Sequence, residues 1–167
     1  MNNIINKIIE FNKLWSDLEY CLRAIKKNPY DLQFVKKQTL EICLEAVKRK
    51  GYVLQYVKEQ TSEICLTAVQ QKGDTIIYVK KQTPEICLSA VQQEGLVLEF
   101  VENQTPEICF AAVQQNWEAL VYVENQTPEI CAEAIKQNPE AYKYVRLPEA
   151  EPEREKFIRK LSFLLLS

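Results

Sequence analysis

Six cysteines, Cys21, Cys43, Cys65, Cys87, Cys109 and Cys131, stand 22 residues apart without a slip. The residues around them recur in register from Asp17 to Pro148, so one short unit is written six times. A unit of that size cannot enclose a core of its own. It buries its apolar face only by stacking on the copy before it and the copy after it. The period therefore dictates a repeat array before any single residue is weighed.

The copy from Thr83 to Gln104 reads TPEICLSAVQQEGLVLEFVENQ. Thr83 suits an N-cap, Pro84 needs no amide hydrogen at the first helical position, and Glu85 sets a carboxylate at the positive end of the helix dipole. Ile86, Cys87, Leu88, Ala90 and Val91 then cover more than half of the helix circumference. Such a helix meets the repeat before, the repeat after, and a second helix in its own repeat. Gly95, with Gly51 and Gly73 at the same slot, is expected to end this helix in the left-handed conformation. Asn28-Pro29 and Asn138-Pro139 end it in the first and last copies. Trp117 holds the slot in the fifth copy, which predicts a differently built helix end with an exposed indole. Leu98, Phe100 and Val101 lie on a second segment of about two turns, partly 3₁₀. The fold class that follows is all-α: an α-solenoid of six 22-residue two-helix repeats over residues 17–148, with N- and C-terminal capping helices.

Residues 1–16, carrying Ile4, Ile5, Ile8, Ile9, Phe11, Leu14 and Trp15, depart from the repeat and read as the N-terminal cap. Residues 149–167 form an acidic linker and then an apolar helix, expected to fold back over the sixth repeat; self-association or contact with a membrane surface are the alternatives. No segment reaches the roughly 20 apolar residues of a membrane span, and the N-terminus lacks a signal peptide's build, so the expected location is cytoplasmic. Stacked helices lie roughly 8 to 10 Å apart and disulfide-bonded Cα atoms within about 7 Å. Equivalent cysteines therefore should not pair, and read as small buried hydrophobes, reduced and unliganded.

Comparison of the copies separates packing from recognition. Ala24, Ala46, Ala68, Ala90, Ala112 and Ala134 share one slot, as expected where two helices come too close for a larger side chain. Gln38, Gln60, Gln82, Gln104 and Gln126 share another just before each cap, where an amide can bond free backbone groups between repeats. The charges vary instead. Residues 1–82 carry 14 Lys or Arg and 9 Asp or Glu, whereas residues 83–167 carry 7 and 14, and no base stands between Lys81 and Lys136.

The runs TPEICLSAVQQEGLVLEFVENQ and TPEICFAAVQQNWEALVYVENQ resemble the Thr-Pro-Glu-Ile-Cys repeats of an uncharacterised domain family, a short leucine-rich helical repeat of unknown function. The resemblance covers Asp17 to Val145 and is strongest from Thr39 to Gln137. It departs at Asp17-Leu18-Glu19-Tyr20 and at Trp117. It implies a short-helix solenoid and adds no catalytic residue.

An enzyme is not expected. The chain has no histidine, no Gly-rich phosphate loop and no Ser or Cys beside a base. Accordingly no catalytic, metal-binding or cofactor-binding residue is assigned, and no small-molecule substrate. Constant packing slots beneath variable outer ones suit a non-catalytic protein–protein interaction module. Glu85, Glu99, Glu102, Glu107, Glu118 and Glu124 are the expected partner-binding residues, attracting a basic protein surface. Tyr52 and Trp117, beside Tyr30 and Leu96 in the turns, are the expected anchors. The alternative is a small acidic inhibitor of a nucleic-acid-binding enzyme, of the kind a phage or virus encodes against a nuclease or CRISPR effector. Nucleic-acid binding by the basic half, through residues such as Arg23, Lys26, Lys27, Lys48, Arg49 and Lys50, is weaker, because many of these close helices whose dipole already favours them.

Overall fold

The computed structural model describes residues 2–166; Met1 and Ser167, the outermost residues of the two terminal segments, lie outside them. Two compact units divide the chain, residues 1–80 and 81–167. In the first, α1 (Asn2–Leu14) precedes three repeats, each an α-helix followed by a 3₁₀-helix: α2 (Leu18–Lys27) with η1 (Pro29–Phe34), α3 (Leu40–Arg49) with η2 (Gly51–Tyr56), and α4 (Ser62–Gln71) with η3 (Gly73–Tyr78). In the second, α5 (Pro84–Gln93) pairs with η4 (Gly95–Phe100), α6 (Pro106–Gln115) with η5 (Trp117–Tyr122) and α7 (Pro128–Gln137) with η6 (Pro139–Tyr144), and α8 (Glu151–Leu166) follows. There is no strand among the described residues. Inside each unit every α-helix packs on the α-helix of the next copy and every 3₁₀-helix on the next 3₁₀-helix, the arrangement of an all-α repeat solenoid.

The local chemistry sets both helices. Thr39, Thr61, Thr83, Thr105 and Thr127 each accept the amide hydrogen three residues on, and the Asp17 carboxylate does the same for Tyr20, so one orphan donor is satisfied at the start of each repeat's α-helix. The second helices are 3₁₀ throughout, six residues each, longer than such helices usually run. At three residues per turn Leu54 and Val57 fall on one side, as do Leu98 and Val101, and all four are buried in the stack.

The glycines work differently from the sequence expectation. No described residue has a positive φ, and the joint after α3 is an extended Lys50 with φ −151° and ψ 103°. Proximity explains the glycine instead. A Cβ on Gly51 would lie 2.9 Å from the carbonyl oxygen of Ala68 in the next repeat, and one on Gly95 only 2.4 Å from that of Ala112. Nor is the helix end at Trp117 built differently: Asn116 has φ −153° and ψ 116°, close to the −157° and 119° of Lys72. The indole is half-buried rather than exposed. Asn116, like Asn28 and Asn138, caps the second helix by accepting an amide hydrogen two residues on, so the Asn-Pro pairs mark the start of a 3₁₀-helix.

At the N-terminal end α1 meets the array through its last turn, where Phe11, Trp15 and Phe34 gather and Trp15 also stacks edge-on against Tyr20 at 5.2 Å. Ile4, Ile5, Ile8 and Ile9 remain exposed. At the other end α8 folds back on α7, buries Phe157 and pairs Lys160 with Glu129, leaving Ile158, Phe163 and Leu166 outside. No described helix is long and apolar enough to cross a membrane.

Candidate functional site

Every junction between repeats inside a unit is closed by one glutamine amide. Gln104 Nε2 donates to the carbonyl of Leu98 in its own repeat (3.4 Å) and of Tyr122 in the next (3.0 Å). Its Oε1 accepts the Glu124 amide (3.0 Å) and the Cys109 thiol (3.4 Å). Gln38, Gln60 and Gln126 repeat this set, and Gln82 joins Phe100, Glu102 and Cys87 in the same way. These amides are consumed by backbone and thiol partners, so the column is a set of staples and not an open polar groove. All six cysteines are buried and free. Burial pushes the thiols of Cys43, Cys109 and Cys131 up to about 11, which keeps them protonated and able to donate to the staple.

The residue whose amide the glutamine holds is the one that changes charge along the array: Lys58 and Lys80, then Glu102 and Glu124, then Arg146. Lys58 Nζ reaches back and donates to the carbonyls of Val35 (3.1 Å) and Lys36 (2.9 Å). Lys80 Nζ does the same to Val57 (3.2 Å) and Lys58 (2.9 Å). Arg146 donates to the carbonyl of Val123. Glu124 holds the equivalent slot, and the carbonyls of Val101 and Glu102 accept no hydrogen bond from any described backbone or side-chain donor. The reversal is felt at the neighbouring thiols. After burial, Glu102 is the next cause raising Cys87 and Glu124 the next raising Cys109, whereas Lys80 lowers Cys65.

Glu85 and Glu107 are exposed on the first turns of α5 and α6, Glu99 on η4, Glu118 at the start of η5, and Glu102 and Glu124 on the column just described. None of the six forms an ion pair with a described residue. Trp117 and Glu118 do converge: with Leu96, Val121, Tyr122 and Tyr144 they line a cavity of about 220 Å³, the indole 6.2 Å from the Tyr144 ring. Tyr52 belongs to the first unit and is engaged there. Its hydroxyl donates to Asp74, which also pairs with Lys72 at 3.4 Å, and this hydrogen bond is the main reason the phenol is raised. Lys50 Nζ sits 5.8 Å from the centre of the same ring.

A second glutamine column escaped the sequence reading. Gln71 Oε1 accepts the Gly51 amide (2.9 Å) and Gln115 Oε1 that of Gly95 (2.6 Å). Opposite Trp117 the pattern inverts, and Gln137 Nε2 donates to the Val113 carbonyl (2.8 Å). The column is visible as Gln71, Gln93, Gln115 and Gln137, but Lys27 and Arg49 hold its slot in the first two copies and hide it.

Among protein-family models, one described as a domain of unknown function, DUF4116, matches residues 17–62 and, overlapping, 39–83. That stretch includes the divergent first copy and holds none of the complete Thr-Pro-Glu-Ile-Cys sequences, which begin at Thr83. The similarity is to an uncharacterised family and brings no chemistry with it. No curated protein and no solved structure matches the chain.

Proposed function

We propose that the second unit is the binding part of a non-catalytic protein–protein interaction module whose partner presents a basic surface. The observation that carries this reading is the charge switch in one column, where Lys58 and Lys80 neutralise backbone carbonyls of the preceding repeat and Glu124 does not. Six exposed glutamates without ion pairs, and no base from 82 to 135, give this stretch of the second unit a negative potential. Catalysis finds little support, since the thiols are held protonated by burial and the chain has no histidine. The basic half is a poorer candidate for nucleic acid than its composition suggests: Arg49 pairs with Glu45 at 2.6 Å, and Lys58 and Lys80 are bound to carbonyls. An inhibitor of a nucleic-acid-binding enzyme is the same chemistry with a particular partner, a basic groove.

Pull-down from native extract with wild type and with Glu102→Lys/Glu124→Lys tests the reading. Partners held by the wild type at low salt should be released as ionic strength rises, because exposed charges are screened over about 8 Å at physiological salt, and the double reversal should not capture them. Release of the same partner by added DNA or RNA identifies the inhibitor case. Equal capture by both proteins at low salt would leave the acidic face a solvated surface.

A further inference from the structure

The chain itself shows what the Glu124 position lacks. In the second and third repeats a lysine ammonium lies between two carbonyls of the preceding repeat, at 3.1 and 2.9 Å in one case and 3.2 and 2.9 Å in the other. The carbonyls equivalent to these in the fourth repeat are those of Val101 and Glu102. Their backbone is fixed from the same partners as in the filled copies: Gln82 Oε1 holds the Glu102 amide at 3.0 Å, and Gln104 Oε1 holds the Glu124 amide at 3.0 Å. The acceptors are in place, the residue at the donor's slot is a glutamate, and the side chain of Glu124 is exposed.

We propose that the carbonyl pair of Val101 and Glu102, with the carboxylate of Glu124, is the seat for one lysine ammonium of the partner. The inference rests on the acidic-face reading above and specifies its ligand. A primary ammonium fits because it is the group that fills the same carbonyl pair in two other copies of the fold. Its three donors match two carbonyls and one carboxylate, and hydrogen bonds to an ionised donor are the stronger kind. A hard divalent cation fits less well, since calcium takes six to eight oxygens and the described residues hold no group of three or more acidic, Cys or His ligands.

The probe is a decalysine peptide, titrated at low salt against wild type, Glu124→Lys and Glu85→Lys. The two substitutions change the net charge equally, but only the first supplies an internal ammonium to the seat. Glu124→Lys should weaken binding about tenfold or more, and Glu85→Lys only about two- to threefold through the general field. A crystal structure of Glu124→Lys should place the new ammonium within hydrogen-bond distance of the Val101 and Glu102 carbonyls. Equal losses in the two variants would remove the seat while leaving the acidic face as the binding surface, and failure of wild type to bind would remove both. An ammonium turned out to solvent in that crystal structure, or displacement of the peptide by millimolar calcium at matched ionic strength, would also overturn the assignment.

Discussion

At the scale of single residues the staple glutamine is the most exposed to test. Gln104 alone satisfies two carbonyls, one amide and one thiol across a junction. Gln104→Ala would leave the two carbonyls and the thiol unpaired in a part-buried junction, and should cost about 2 to 3 kcal/mol in denaturant unfolding. Gln104→Glu should recover little, since a carboxylate can still accept from Glu124 and Cys109 but cannot donate to Leu98 or Tyr122. If Gln104→Ala unfolds at the wild-type denaturant concentration, the staple is not holding the junction. The same geometry explains the cysteine. At this slot the thiol is both a small hydrophobe and a donor to the amide oxygen, so Cys87→Ser would find Gln82 as a partner and should be milder than a hydroxyl placed among apolar groups.

Among the elements, α8 is fastened by Phe157 and by Lys160 on Glu129. The Glu129 carboxyl is held below its ordinary 4.5, first by the hydrogen bond from Lys160. A folded pKa below the unfolded one contributes stability that is present above the unfolded value and lost as pH falls through the folded one. The pair is exposed, so its share is about 0.5 kcal/mol. Protection of the α8 amides, corrected for intrinsic exchange, should therefore fall below about pH 4.5 relative to α7, and Glu129→Gln should show the lower protection already at neutral pH. An α8 whose protection ignores both changes is held by Phe157 alone.

For the molecule as a whole the recurring thiols predict an alkaline limit. Cys43, Cys109 and Cys131 are raised from 9.0 to about 11 by burial. A raised folded pKa stabilises the fold fully below the unfolded value and is lost as pH rises through the folded one, so the window runs from about pH 9 to 11. Each of the three thiols contributes on the order of 2 kcal/mol across it. Melting temperature should fall through that window, and Cys109→Ala should flatten the slope; an unchanged slope would mean the thiols already reach solvent in the folded state.

The unbroken period of 22, the Thr caps and the alternation of apolar slots determined by themselves that this chain is an all-α stack of two-helix repeats, because caps and burial patterns act within a few residues and are written locally. The acidic second half was legible for the same reason: charge is carried by composition. The role of Gly51 and Gly95 was not legible, since a turn and a close approach both ask for glycine and only the carbonyls of Ala68 and Ala112, in the next repeat, distinguish them. The same holds for Tyr52, engaged by Asp74 22 residues on, and for Lys58 and Lys80, which in sequence are only charges. What a lysine or glutamate does in this array depends on which backbone of the preceding repeat it faces, and stacking alone decides that.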